Sequence, residues 1–370
     1  MVGARLGLAF NHKPITMTPT VLAPGPTKVH PEMGQWLQEA VAEGAVWQSH
    51  RSKWFFNLFD EVRDRIRDLL KLPDTHHVIF MNSSNEAWER GMECLTAKES
   101  FHMVGGEFAM RWHQYTGWLG RNAVRWDYDH KFDGDFSAVE VPETAEAICV
   151  VNNETSIGLW IPEEQIHALG RKYPEKLLMV DCVSAMPHCQ LDWSLVDVCM
   201  FSVQKGFHST AGLSVVVVSE RAMERSRQLE KTQSIGSFHA FSRVQVFAEK
   251  SMTAETPNVL AIYLLNKCAA KYQSIGLDVL RAGIEERAAA FYAALEKTSA
   301  KRMVTSDRYK SPTLFAVNVQ EDANELRARL EREHGIYTGA CYGELKDHNI
   351  RVANFPMHTA EEHQKLLALL

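Results

Sequence analysis

Two polar residues end apolar stretches of the chain at positions where they could do chemistry. The apolar run 177–180 ends in Asp181, and the run 198–203 ends in Gln204-Lys205. Ligands of open α/β sheets bind beyond the carboxyl ends of the strands. The interval between the two runs leaves room for a connection and one further strand, so both side chains can reach the same edge of a sheet.

A carboxylate and a lysine at one sheet edge suit pyridoxal 5'-phosphate (PLP). The carboxylate keeps the pyridine nitrogen protonated, while the lysine amine forms a Schiff base with the aldehyde and carries a proton. Ser83-Ser84-Asn85 joins an apolar strand to a helix, where hydroxyl, amide and backbone N–H groups offer a seat for phosphate. Taken singly, these residues could be solvated strand ends and a plain helix N-cap. Together they predict a PLP site on Lys205. The 16 histidines show no metal-binding spacing such as His-Glu-x-x-His, so no metal site is predicted.

The elements around these residues alternate between strands and helices. Apolar residues at helical spacing predict a helix over 53–72. Short apolar runs predict strands at 77–81, 147–151, 177–180, 198–203 and 213–219. This alternation indicates a mostly parallel sheet covered by helices.

The last third of the chain changes in character from residue 256 onward. Consecutive helices are predicted over 257–274 and 277–298, followed by a smaller lobe with strands near 313–319 and 349–353 and helices near 324–334 and 359–370. We therefore expect a large domain with an N-terminal arm over 1–260 and a smaller α+β domain over 261–370.

The composition favours an enzyme that acts on small molecules. The net charge is -6 and no run of Lys and Arg stands out, which argues against nucleic acid or an anionic membrane as partner. The seven cysteines are scattered and form no Cys-x-x-Cys, which indicates a reducing compartment. The apolar stretch within residues 1–14 is too brief for a signal peptide, and no stretch of about 18 apolar residues exists. We expect a cytoplasmic protein.

Longer motifs resemble a known family, the class V aminotransferases of the type I PLP fold, and within it the phosphoserine aminotransferase branch. Ser202-Val203-Gln204-Lys205 with Ala211-Gly212-Leu213 is similar to the lysine motif of that branch, and Ser49-His50-Arg51-Ser52-Lys53 matches its Ser-His-Arg-x-Lys motif. Further matches are Ala23-Pro24-Gly25-Pro26, Asn153-Glu154-Thr155, Val180-Asp181 and Thr256-Pro257 with Ala261-Ile262-Tyr263. The resemblance runs from about residue 21 to the end and implies a seven-stranded sheet and transamination between an amino acid and a 2-oxo acid.

The resemblance also implies cofactor-binding roles for the matched positions. Lys205 would be the Schiff-base lysine, and Asp181 the partner of the pyridinium. Thr155 would bond the phenolic oxygen of the ring, and Phe108 would stack on the ring. Gln204 and Ser83-Ser84-Asn85 would hold the phosphate. Thr256 would reach the phosphate from the other subunit, which implies a homodimer.

Substrate recognition is implied for three further residues. Arg351 would grip the α-carboxylate through two parallel hydrogen bonds, which lysine cannot mimic. His50 and Arg51 would bind a second anionic group of the substrate. The chain departs from the family at the phosphate turn, where Ser83-Ser84-Asn85 replaces a glycine-rich segment. It also lacks the second His-Arg pair of the branch within 343–348, where Lys346 or His348 could substitute. A phosphate dianion with fewer cationic partners binds less tightly, so we expect transamination without assigning a phosphorylated substrate.

Four other interpretations stay open. One is an alanine or serine aminotransferase that uses glyoxylate or pyruvate. A class V lyase such as a cysteine desulfurase would use Cys341 as its nucleophile, although those enzymes place His where this chain has Gln204. Ser202-x-x-Lys205 fits the Ser-x-x-Lys pattern of serine acyl-enzymes, but their Ser-Asp-Asn and Lys-Thr-Gly motifs do not occur. The last is a protein that binds PLP without turnover.

Overall fold

The described residues form fifteen strands, and seven of these make one sheet whose carboxyl edge carries most of the predicted site residues. A computed structural model describes residues 19–370, and the apolar stretch within residues 1–14, predicted to be too brief for a signal peptide, lies outside them. The strands are β1 (Thr20–Val21), β2 (His76–Met81), β3 (Glu99–Val104), β4 (Asn122–Asp127), β5 (Ala147–Val151), β6 (Asn153–Glu154), β7 (Leu159–Trp160), β8 (Leu177–Asp181), β9 (Val198–Ser202), β10 (Ser214–Ser219), β11 (Lys301–Arg302), β12 (Leu314–Asn318), β13 (Ile336–Tyr337), β14 (Gly339–Ala340) and β15 (Asn349–Ala353).

The helices lie between these strands, and the last helix follows the last strand. They are α1 (Met33–Ala42), α2 (Lys53–Leu70), α3 (Ser84–Leu95), α4 (Glu107–Trp118), α5 (Glu163–Lys172), α6 (Glu220–Glu230), α7 (Phe241–Ala248), α8 (Val259–Ile275), α9 (Leu277–Leu295), α10 (Ala323–His334) and α11 (Ala360–Leu367). Of residues 19–370, no helix combines the length and the apolar character needed to cross a membrane.

The large sheet has the order β2-β10-β9-β8-β5-β3-β4, and only β10 runs antiparallel to its neighbours. Every residue of β5, β8, β9 and β10 is buried. Strands of this kind are covered by helices on both faces, which explains their uninterrupted apolar sequences. The predicted mostly parallel, seven-stranded α/β sheet is therefore confirmed.

The helix predicted over 53–72 is α2, and its ends follow from capping. The Ser52 side chain accepts a hydrogen bond from the N–H of Phe55, and Lys71 stops the helix in a left-handed conformation. The helix predicted from Pro257 begins later, because the Asn258 side chain is the N-cap and accepts from the N–H of Ala261. No apolar run predicts β3, because its buried Ser100 and His102 interrupt the apolar residues and are hydrogen-bonded to each other at 2.9 Å.

A smaller antiparallel sheet, of order β11-β12-β15-β14, lies in the C-terminal part of the chain. Its buried side chains form a second core with α9, α10 and α11. Leu22 belongs to that core, and β1 pairs with β13, so the first described residues pack on the C-terminal unit. The apolar side chains of α8 belong instead to the larger core, which therefore extends past residue 260. The division into 1–260 and 261–370 remains a prediction.

Candidate active site

Lys205 lies in the loop after β9, and its side chain is buried beside aromatic and charged groups. Its Nζ is 5.5 Å from the centre of the Phe108 ring. Burial and the positive charge of Arg351 lower the pKa of Lys205 to about 8, against the opposing effect of Asp181 and Glu154. An amine with this pKa is partly neutral near physiological pH, which a nucleophile and proton carrier requires.

Asp181 ends β8, next to β9 in the sheet, and two N–H groups fix its carboxylate. The indole N–H of Trp88 donates to Oδ2 at 2.7 Å, and the backbone N–H of Val183 donates to Oδ1 at 2.7 Å. Burial raises the pKa of Asp181 to about 6, while these hydrogen bonds and Lys205 lower it. The predicted pair thus lies at the carboxyl ends of neighbouring strands, each group charge-coupled to the other.

The segment after β5 contributes Glu154 and Thr155 to the same edge. Glu154 is buried, and its carboxylate accepts hydrogen bonds from the backbone N–H groups of Ala109 at 3.0 Å and Ser156 at 3.1 Å. This contact ties the first turn of α4, which carries Phe108, to the segment after β5. The Thr155 hydroxyl is 2.6 Å from that of Ser184. Burial also raises the pKa of Glu154.

Arg351 on β15 enters the site from the smaller unit. Its Nε donates to the Ala340 carbonyl at 2.7 Å, and Nη1 donates to the Thr155 carbonyl at 3.4 Å. The Tyr342 ring packs on this guanidinium at 4.7 Å and on that of Arg111 at 5.2 Å. Phe108 lies edge-to-face with Tyr342, with ring centres 5.6 Å apart. One wall of the site therefore holds two guanidinium groups.

The predicted phosphate turn forms the N-terminus of α3. The Ser83 hydroxyl caps the helix by accepting from the N–H of Glu86 at 3.1 Å, and the Ser84 hydroxyl is 2.7 Å from that of Ser202 on β9. Backbone N–H groups of a first helical turn have no partner within the helix and favour an anion. A cavity of about 730 Å³ opens beside this turn, and Ser83, Asn85 and Trp118 are among its lining residues.

Two further observations show that the residues present fit PLP. The Gln204 side-chain oxygen is buried and finds no hydrogen-bond partner among residues 19–370. The same terminal amide can turn its two N–H donors to that place. A Cβ at Gly25 would lie 3.0 Å from both Cε and Nζ of Lys205, so the glycine leaves room around the amine.

Three predicted residues are not brought to this cluster. Arg51 and Thr256 are exposed, and His50 is buried with an Nε2 that finds no partner within the described residues. Burial and the neighbouring Arg51 lower the pKa of His50. Within residues 19–370, no hydrogen bond or ion pair joins these three residues to Lys205, Asp181 or Arg351. Lys346 and His348, the suggested replacements for the missing His-Arg pair, are also exposed.

The structure weighs against two of the open interpretations. Burial raises the pKa of the Cys341 thiol to about 11, so the thiolate that a desulfurase needs does not form readily. The Ser202 hydroxyl is bonded to Ser84 within a buried strand and makes no hydrogen bond to Lys205. Among the residues described, no group of three His, Cys, Asp or Glu side chains is placed to hold a metal ion.

Sequence reasoning missed Trp88, Glu154 and the Tyr342–Arg111 pair as parts of the site. Trp88 stands at a core position of an amphipathic helix, where tryptophan is ordinarily packing. Only the fold shows that its N–H meets Asp181. Glu154 lay inside the matched Asn-Glu-Thr segment, and an acidic residue directly after an apolar strand was the available signal.

Comparison with known proteins first gives the class of this fold. The solved structure of a phosphoserine aminotransferase from Cytophaga hutchinsonii superposes with a TM-score of 0.91 at 34% identity, covering 95% of this chain and 99% of that one. An alanine–glyoxylate aminotransferase from Nostoc sp. shares the fold alone, with a TM-score of 0.84 at 20% identity, covering 100% of this chain and 98% of that one. The fold is that of the type I PLP-dependent transferases.

The family follows from the sequence. The family model named Aminotransferase class-V matches residues 22–344. A phosphoserine aminotransferase of Corynebacterium glutamicum (strain R) is 26% identical over 92% of this chain and 91% of its own length. The chain belongs to the class-V aminotransferases, so it is a transaminase that uses PLP, as expected from the sequence.

Proposed function

We propose that this chain transaminates an α-amino acid that carries a second anionic group, as the names of its phosphoserine aminotransferase relatives suggest. The observation that carries the proposal is the pair of guanidinium groups, Arg351 and Arg111, that pack on the Tyr342 ring, with Arg351 close enough to Lys205 to lower the pKa of its amine. A cation beside the reacting amine is suited to hold the α-carboxylate of a substrate.

The chemistry is divided between PLP and the side chains of the chain. When bound, PLP supplies an aldehyde and an electron-withdrawing ring, which make the Cα–H of an amino acid acidic. Lys205 Nζ would accept that proton from Cα and later donate it to the cofactor. The Asp181 carboxylate would stabilise the positive charge of the ring nitrogen. Each of its oxygens accepts one N–H within the protein and keeps a further lone pair for that nitrogen.

The remaining residues orient the ring and anchor its phosphate. Phe108 would cover one face of the ring, a stacking contact worth about 0.5 to 1.5 kcal/mol beyond area burial. The Thr155 hydroxyl would bond the phenolic oxygen. Gln204 and Ser83-Ser84-Asn85 would hold the phosphate, together with the backbone N–H groups at the start of α3.

Arg351 and Arg111 divide substrate recognition within one chain. Arg351 binds the α-carboxylate. Arg111 packs on the same Tyr342 ring as Arg351. It is partly exposed and pairs with Glu107 at 2.7 Å. It meets the second anionic group, together with His50 and Arg51 of a second subunit.

A homodimer explains why His50, Arg51 and Thr256 stand apart from the site in one chain. Ion pairs link their segments to the α3 turn: His239 pairs with both Glu86 on α3 and Glu255, the sequence neighbour of Thr256, and the charge of Glu255 opposes the lowering of the His50 pKa. Large apolar side chains are exposed in the same segments, Trp47 at 74%, Phe238 at 49% and Trp118 beside the α3 turn at 77%. Exposed apolar patches of this kind mark interfaces, and a second copy of this chain would bring His50 and Arg51 to the partner's Lys205.

Subunit mixing tests this arrangement. Arg51→Gln and Lys205→Ala are each expected to impair activity, but a heterodimer of the two variants contains one intact site if Arg51 acts across the interface. Recovery of activity on mixing supports the dimer proposal. Failure to recover in a verified heterodimer would place Arg51 in the site of its own chain.

We also propose a cytoplasmic location, with neither nucleic acid nor a membrane as partner. All seven cysteines are free and buried, as suits a reducing compartment. The net charge of -6 opposes binding to polyanions.

Half-reaction spectroscopy tests the substrate. O-phosphoserine and glutamate should bleach the visible absorption of the purified holoenzyme faster than serine and alanine do. Equal rates for phosphoserine and serine would overturn the requirement for a second anionic group. An unchanged spectrum with every amino acid would instead indicate a protein that holds PLP without turnover.

A further inference from the structure

Two stacked tryptophans lie behind Asp181, and only one of them has a hydrogen-bond partner. Trp88 on α3 and Trp112 on α4 are both 1% exposed, with ring centres 6.0 Å apart and planes 12° from parallel. The Trp88 N–H donates to Asp181 Oδ2 at 2.7 Å, whereas Nε1 of Trp112 finds no partner among residues 19–370. The two side chains thus share packing but differ in one hydrogen bond.

The surroundings of Asp181 make that bond consequential. Lys205, after β9, faces the carboxylate with a favourable charge, and Glu154, after β5, faces it with an unfavourable one. The other fixed donor is the backbone N–H of Val183. Burial disfavours the charged carboxylate, while a hydrogen bond to it favours the charge. An indole N–H only donates and does not titrate in this range, so Trp88 supports the ionised form throughout.

We propose that Trp88 is a positioning residue, which keeps Asp181 ionised and directed toward the place of the cofactor's ring nitrogen. The inference rests on the proposed role of Asp181 as partner of that nitrogen. The substitution Trp88→Phe removes the N–H and retains an aromatic ring. Trp112→Phe is the matched control, because it makes the same change in the neighbouring ring without removing a hydrogen bond.

The test measures the affinity of the full-length apo-protein for PLP across pH. Loss of the Trp88 donor should raise the pKa of Asp181 by about one, which is a factor of about ten in its ionisation constant. Because the pKa of Asp181 is about 6, the ratio of wild-type to Trp88→Phe affinity should be about fivefold near pH 6, approach about tenfold below pH 5 and vanish toward pH 8.5. Trp112→Phe should show no such pH-dependent ratio.

Two results would overturn the inference: a Trp88→Phe defect of equal size at every pH, or equal effects of both substitutions. If wild-type protein itself fails to bind PLP, the proposed function fails rather than this inference.

A second measurement does not depend on any variant folding. In wild-type apo-protein labelled with ¹⁵N-tryptophan, the indole N–H resonance of Trp88 should shift with pH as Asp181 titrates, while that of Trp112 stays constant. Resonances that show no difference between the two tryptophans would contradict the proposal.

Discussion

The two sides of the proposed site are built differently. The cofactor side consists of Lys205, Asp181, Thr155 and Phe108, held by hydrogen bonds and packing within one chain, such as the two donors at 2.7 Å on Asp181. The other side consists of His50, Arg51 and Thr256, none of which is hydrogen-bonded to the cofactor side within the described chain. In the proposed homodimer, one chain fixes the chemistry, whereas a second subunit supplies Thr256 to the cofactor phosphate and His50 and Arg51 to the far end of the substrate.

The largest effect is expected from breaking the cofactor side. Lys205→Ala removes the amine that we propose moves the proton, a role worth about a hundredfold to ten-thousandfold in rate. The variant should also lose the visible absorption of the holoenzyme. Lys172→Ala, which removes a lysine paired with Glu140 on the surface, serves as the control and should keep both. A colourless Lys205→Ala protein with normal turnover would contradict the scheme.

A smaller loss is expected where the two sides meet. Arg351→Lys keeps the charge but loses the planar pair of donors, so kcat/KM should fall about tenfold to a hundredfold for every amino acid, the equivalent of one charge-assisted hydrogen bond. Steady-state kinetics with glutamate and alanine checks this prediction. A loss confined to glutamate would show that Arg351 binds the second anionic group instead.

Arg111→Gln sharpens the comparison because it should affect specificity alone. Partly exposed charge pairs contribute at most about 1 kcal/mol, so we expect about a fivefold loss in kcat/KM for O-phosphoserine. Alanine, which has no second anionic group, should react as before. Arg63→Gln on α2 removes an arginine paired with Asp60 and Asp64 and is the matched control. Equal losses with both substrates would refute the role of Arg111.

The smallest effect concerns pH. Since the pKa of Lys205 is lowered to about 8, the rate at which apo-protein captures PLP should rise with pH and level off above that value. Arg351→Met removes a positive charge and should move the midpoint upward, whereas Asp181→Asn removes a negative charge and should move it downward. Stopped-flow absorbance measures these midpoints, and a shift in the opposite direction for either variant would contradict the charge coupling.

The sequence predicted the chemically active residues better than the residues and strands that position them. Lys205 and Asp181 could be found because each ends an apolar run, and buried strands such as β5 and β15 have the predicted bounds. The contact of Trp88 with Asp181 could not be found, since it depends on how α3 packs across the sheet. The position of β4 was missed because this edge strand has no fully buried residue.

The most direct test of the central claim is to fix PLP to the amine that holds it. Borohydride reduction of the holoenzyme, followed by peptide mass mapping, should place the pyridoxyl group on the peptide that contains Lys205. A label on a different lysine, or no label in an enzyme that transaminates normally, would contradict the account.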